Sequence, residues 1–385
     1  MNKKLTAFIH RFSFKQVGIA FIVLAALLGV QQILLHNINN YLMFSKPFFN
    51  LLQGKNLYLE YPLYYFDIYK YSPAFALLFA PLSLLSDNMG IILWNMLNAT
   101  VFVLAIKHFF NNDRLCVYAL LIVLLEAITS LQNLQSNCLL SGLIMLTYTH
   151  LLKRKFFQAA LYVSLAAFIK IYGIAAMVLA IFFRERFKFG FASLFFLVVL
   201  FLSPLLLLNY DAFILNYKSW MEVVSISATG SQMSVMGLMQ TWFGWQGSFR
   251  AVQLIGLFIL LTPLVQVRYY TQIWFQQLFV ASILMFVVLF NQMAESPTYI
   301  IPLAGVAIWF LSFNKPSSFD IALLLLVLLL TSLSSTDLFP RFVREQYVRP
   351  YTLKALPVLL VWIRLQWQLW FDKDAGRYKL FTQSL

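Results

Sequence analysis

Acidic residues, cysteine and histidine are all scarce in this chain, and each scarcity closes off a chemistry. Only 11% of the 385 residues are charged, with 14 acids against 28 lysines and arginines. The two cysteines, Cys116 and Cys138, lie in or beside apolar segments and read as small buried hydrophobes rather than a disulfide. Four histidines, His10, His36, His108 and His150, show no metal-ligand spacing, and there is neither a phosphate-cradling glycine loop nor a nucleophile elbow. ATP-driven and zinc chemistry therefore lack their residues, and neither metal nor cofactor is expected. Internal repeats, low-complexity tracts and Gly/Ser-rich linkers are missing too, so a single integral-membrane domain over 1–385 is expected.

What fills the chain is apolar surface. Hydrophobic residues make up 61% of it and the mean hydropathy is +0.78. Apolar segments fall near 17–35, 73–85, 89–106, 115–131, 137–152, 158–169, 171–183, 190–209, 251–267, 273–290, 299–313, 319–333 and 355–371. Several approach the length that crosses a bilayer, which predicts an all-α polytopic transmembrane helical bundle of roughly 10–13 membrane segments. The formal charge of +14 sits in short basic runs between these segments. That placement orients a protein in the bilayer and argues against a nucleic-acid partner.

The basic runs also set a topology. Segment 17–35 follows Lys3, Lys4, Arg11 and Lys15 without a small-residue cleavage site, which predicts a retained first helix with a cytoplasmic N-terminus. The clusters Lys153-Arg154-Lys155 and Arg184-Glu185-Arg186-Phe187-Lys188 both read as cytoplasmic. The half-length segments between them then enter and return as a broken hairpin with Lys170 at its tip. Counting onward places 209–250, 291–298 and 334–353 outside and the C-terminal tail (Lys373, Arg377, Lys379) inside, as in a multi-pass inner-membrane protein. Segment 73–85 decides the parity before Lys153. If it is only partly embedded, broken at Pro81, residues 132–137 face outward with the first loop, and that arrangement is expected.

The first loop, 36–72, holds seven tyrosines, three lysines and two acids, far more than a connector needs, and predicts a surface that receives substrate. Asp67 and Glu60 are the candidate catalytic bases, able to take a proton from an acceptor hydroxyl. Lys70, beside Tyr71 and one helical turn from Asp67, suits a phosphate. Lys170, next to Tyr172 and without an acidic neighbour in sequence, requires an anion or a carbonyl cluster. Gln132, Asn133, Gln135 and Asn137 offer carboxamides suited to sugar hydroxyls or to helix capping. Glu295 stands in a second polar interruption, Asn291 to Pro297. Arg341, Arg344, Arg349 and Lys354 concentrate positive charge where the charge rule leaves little, which points either to a phosphate-binding patch or to a different topology there. Gln232, in the 209–250 loop, completes the candidate substrate-binding residues.

The order of motifs resembles glycosyltransferase family 87. It runs from Gly54-Lys55-Asn56-Leu57-Tyr58 through Tyr71-Ser72-Pro73-Ala74-Phe75-Ala76-Leu77-Leu78-Phe79-Ala80-Pro81-Leu82, Trp94 and Asn98, the Gln/Asn element and Lys170 to Ser296-Pro297. The resemblance spans most of 36–310. It implies a GT-C-type bundle that transfers a sugar, mannose in the type reaction, from a polyprenyl-phosphate donor. The acceptor is a lipid-linked or glycan molecule on the outer face of the cell-envelope membrane, and transfer inverts the anomeric centre without nucleotide sugar or obligatory metal. Such families carry an Asp just after the first helix, where this chain has Asn40-Tyr41-Leu42-Met43-Phe44; Asn40 and Tyr41 then count as substrate-binding, and either the base moves to Asp67 or Glu60 or this member is inactive or works differently. The Tyr-Pro-Pro usual at the loop's end is Tyr71-Ser72-Pro73.

A transporter or flippase of a lipid-linked or anionic solute is the alternative, with a broken helix at the midplane but without the internal repeat such proteins show. A non-catalytic membrane scaffold is the third reading. An outward cavity lined by Asp67 and Lys170 favours the transferase, whereas two pseudo-symmetric halves favour the transporter.

Overall fold

The computed structural model describes residues 12–225 and 233–381, all helix and loop apart from one isolated bridge between Phe313 and Tyr378. α1 (Phe14–Leu34) starts at Ser13, whose hydroxyl accepts from the Gln16 amide while the Gln16 side chain accepts from the Ser13 amide, a reciprocal cap for two otherwise orphaned donors. Its 21 residues rise about 32 Å, enough to cross the hydrocarbon. α5 (Asp87–Phe110) and α6 (Asp113–Gln132) are equally long and apolar. Asn95 of α5 donates to the carbonyls of Ala25 and Leu131 at 3.1 Å each. One buried amide thereby ties three spans together, a use of polar groups suited to lipid, where apolar contact alone drives little association.

Between α1 and α5 the chain does not cross. α2 (Asn39–Leu52) ends at Gly54, whose φ of +66° lets the amides of Gly54 and Lys55 fold back on Leu51 and Asn50, a left-handed stop glycine adopts readily. Segment 73–85 forms two short pieces, α3 (Pro73–Leu78) and α4 (Ala80–Ser83), too short to span.

α7 (Asn137–Leu152), α13 (Ile273–Leu289) and α14 (Ile300–Leu311) are buried almost all round and form the centre of the bundle. α9 (Arg186–Leu202) and α12 (Phe249–Leu261) show Phe191, Phe195, Leu254 and Phe258 on their outside, as lipid-facing helices do. α15 (Ser318–Leu326) continues through a π turn, 327–332, and a 3-10 turn to Ser335. α17 (Ala355–Phe371) brings the chain back.

The hairpin at Lys170 is built from unequal arms. α8 (Phe156–Ile169) is α-helical, and Ile171–Phe182 is a 3-10 helix of twelve residues. They pack so closely that a Cβ on Gly173 would lie 2.6 Å from the Ala166 carbonyl, an approach open to glycine alone. Fourteen α residues rise about 21 Å and twelve 3-10 residues about 24 Å. Both fall short of the ~30 Å hydrocarbon core, so the tip is recessed.

Cross-links divide the loops between two faces. On the loop face, the Leu57 amide donates to Asn216 of α10 (Tyr210–Ser225) at 2.9 Å, and Asn56 reaches Ser219. Tyr71 reaches Gln135, Asn137 reaches the Pro297 carbonyl, and Met233 pairs with Ala294. Trp242 of α11 (Val235–Phe243) donates to Tyr351 at 2.8 Å, near the three-residue α16 (Arg341–Val343). On the tail face, Lys153 meets His108, Arg154 meets Glu185, and Asp372 holds Arg377 and Tyr378. Residues 132–137 therefore share the face of the first loop, as the partly embedded reading of 73–85 requires.

Candidate active site

The first loop is a packed cap rather than an open surface. Five of its seven tyrosines, Tyr41, Tyr58, Tyr65, Tyr69 and Tyr71, are buried. Ring burial is favourable only if the hydroxyl keeps a partner, and backbone carbonyls serve several of them. Tyr58 donates to the Tyr71 carbonyl at 2.7 Å and Tyr69 to the Ser72 carbonyl at 3.1 Å. Burial pushes both phenols well above their ordinary pKa, so they stay neutral. Composition alone could not say which way the rings point.

This cap places Tyr71 against the hairpin tip. Ser72 caps α3 by accepting from the Phe75 amide and donates its own hydroxyl to the Phe168 carbonyl at 2.6 Å. The serine that replaces the usual proline therefore ties the first loop to the last turn of α8. Two residues on, Lys170 is in extended backbone between the two arms. Its Nζ donates to Asn137 Oδ1 at 2.7 Å and lies 5.9 Å from the Tyr71 ring. Asn137 in turn donates to the Pro297 carbonyl at 2.8 Å, which brings Glu295 in. Glu295 is exposed and acts electrostatically on Lys170, Tyr71 and Tyr172 without forming an ion pair among the described residues. The Tyr172 hydroxyl is buried and has no hydrogen-bond partner among the described residues.

Asp67 stands at the rim. Its backbone adopts φ +78°, its Oδ1 accepts from the Ile68 amide, and its Oδ2 pairs with Lys70 at 2.6 Å on the surface. Such a backbone costs about 1–3 kcal/mol and gathers at functional positions. Asp67 also acts electrostatically on Tyr71. Glu60 is exposed elsewhere in the loop.

The other sequence-derived candidates take separate places. Asn40 donates to the Asn133 carbonyl at 2.9 Å, a bond that a carboxylate cannot make, and Asn133 reaches back to Thr129. Tyr41 is in the core with its hydroxyl on the Leu82 carbonyl, and Gln132 pairs with Gln31. Arg341 is exposed, whereas Arg344 bonds the Thr336 carbonyl and Glu345. Gln232 lies outside the described residues.

Sequence reasoning missed Glu126. It is fully buried in α6 and receives Lys354 at 2.8 and 3.1 Å, while the same ammonium donates to Ser296 at 2.7 Å and Ser335 at 2.6 Å. The signal was available: an acid inside an apolar 20-residue helix is expensive and marks a partner. This pair fixes the turn that carries Glu295.

Among known families, the model of glycosyltransferase family 87 matches residues 69–336, well over half of the chain. No curated protein matches it.

Proposed function

The chain belongs to glycosyltransferase family 87, and on that footing we propose that it transfers a hexose, such as mannose, from a polyprenyl-phosphate donor to a lipid-linked or glycan acceptor on the outer face of the inner membrane. One arrangement carries the reading: Lys170, at the tip of a hairpin whose arms are too short to cross the bilayer, is bonded among the described residues to a neutral carboxamide and lies 5.9 Å from the Tyr71 ring, with Glu295 acting on it electrostatically. A polyprenyl chain in the bilayer would deliver its phosphate at that depth, and an ammonium bonded to an amide rather than a carboxylate would take that phosphate as its counter-ion.

In this reaction the acceptor oxygen bonds the anomeric carbon as the bond from that carbon to the phosphate oxygen breaks. Asp67 takes the acceptor's proton, with Glu60 as the other loop acid. Lys170 meets the charge that grows on the leaving polyprenyl phosphate, so its contribution is greatest in the transition state. Glu295 and Tyr172 hold sugar hydroxyls. Lys70 orients Asp67 through their ion pair.

The test is incubation of the purified full-length protein with polyprenyl-phosphate hexoses and membrane-lipid acceptors. Transfer of sugar with inversion is expected, and absence of both transfer and donor hydrolysis would sink the reading. Within that assay Asp67→Asn lowers turnover by about two to four orders of magnitude, the usual share of a general base. Full activity of Asp67→Asn beside a dead Glu60→Gln or Glu295→Gln would move the base to that acid.

A further inference from the structure

Across the Glu295–Pro297 turn from Lys170 lies a second cleft, of about 90 Å³, lined by Ser296, Ser335, Arg344, Arg349, Thr352 and Lys354, among others. Thr352 has φ +54°, a left-handed backbone that a β-branched residue rarely adopts. Its side chain is buried, and its hydroxyl has no hydrogen-bond partner among the described residues.

The cations around it are unequally committed. Lys354 is saturated by Glu126, Ser296 and Ser335. Arg344 uses Nε on Glu345 and Nη1 on the Thr336 carbonyl, with Asp337 3.6 Å away. Arg349 uses Nη1 on Glu345. Among the described residues, Nη2 of each guanidinium and Nε of Arg349 make no hydrogen bond, which leaves them for a ligand. Guanidinium N–H groups beside an open hydroxyl form a set of donors, which calls for a ligand presenting several anionic oxygens.

We infer that this cleft binds a phosphate group carried by the lipid-linked acceptor, so that donor and acceptor approach Glu295 from opposite sides of one turn. The acceptor's identity rests on the transferase reading above, whereas the phosphate site stands on the cleft's own residues. Thr352 and Arg349 make the contact, Arg344 supports it, and Lys354 holds the turn between the two anions.

The experiment measures equilibrium binding of farnesyl phosphate and of inorganic phosphate to the detergent-solubilised full-length chain, wild type and cleft variants. Two sites for farnesyl phosphate are expected in the wild type, one at Lys170 and one at the cleft. Arg349→Gln and Thr352→Gly should each weaken one of the two by about tenfold or more and leave the other unchanged. Thr352→Gly relaxes the left-handed backbone, so its thermal stability should hold or rise and misfolding cannot mimic the loss. A single farnesyl phosphate site in the wild type, or a change of less than about twofold in both cleft variants, would overturn the site. Equal affinity for the ester and for inorganic phosphate would overturn the lipid-borne source. A wild-type protein that binds at the cleft but transfers no sugar would count against the reaction and leave the phosphate site standing.

Discussion

Two lysines on the loop face, Lys170 and Lys354, are separated by a single turn, Glu295–Pro297, and are used in opposite ways. Lys354 is 4% exposed and meets a fully buried carboxylate and two hydroxyls. It is a closed, neutral unit. Lys170 meets one carboxamide, an aromatic face and a carboxylate that stays out of bonding range. The nature of the first partner separates the roles: a bonded carboxylate consumes an ammonium's charge, whereas an amide orients the group and leaves its charge available.

The strongest way to break this contrast is to remove one half of the closed unit. Lys354→Met strands Glu126 in the bundle and should cost about 3–5 kcal/mol, read as a fall in thermal midpoint, while Glu126→Gln with Lys354→Met should recover much of it. If Lys354→Met is as stable as wild type, the pair is not the strut described. The counterpart is Lys170→Met, which should lower turnover by about 10²–10³ with donor affinity and thermal midpoint little changed. Lys170→Arg should rescue only partly, since the planar fork needs different room. Equal losses in donor affinity and turnover would show that Lys170 acts on ground-state binding. The smallest effect sharpens the rule from the other side. Asn40→Asp sets a carboxylate against the Asn133 carbonyl and should cost about 1–3 kcal/mol without adding activity. A gain in turnover would restore that position as the base. Single-cysteine labelling in a chain lacking Cys116 and Cys138 tests which face is outside: modification from outside at residue 60 and none at 155 is expected.

Much of the bundle was legible because each span is a long apolar run, and the Lys170 break stood out as a charge between two runs too short to cross. Segment 73–85 was ambiguous in length, and only its division at Phe79 shows that it does not span. The site was less readable. Glu126 hides in a run that reads as unbroken helix, and its partner is 228 residues away. The open cleft likewise draws on residues from Ser296 to Lys354, and neither Thr352's backbone nor its open hydroxyl has any signature in composition. The loop's tyrosines were counted correctly but assigned to a surface, because ring orientation is decided by which backbone carbonyls the fold leaves open.

The twelve-residue 3-10 arm beneath Lys170 has a mechanical consequence. Each of its residues rises about 0.5 Å more than in an α-helix, so rewinding Ile171–Phe182 as α would shorten it by about 6 Å, close to one α-helical turn. Its far end is held by the packing of Phe182 against Tyr270, Phe275 and Phe279. The whole stroke would fall on the free end, drawing the ammonium toward the tail face by more than the length of its own side-chain bond to Asn137.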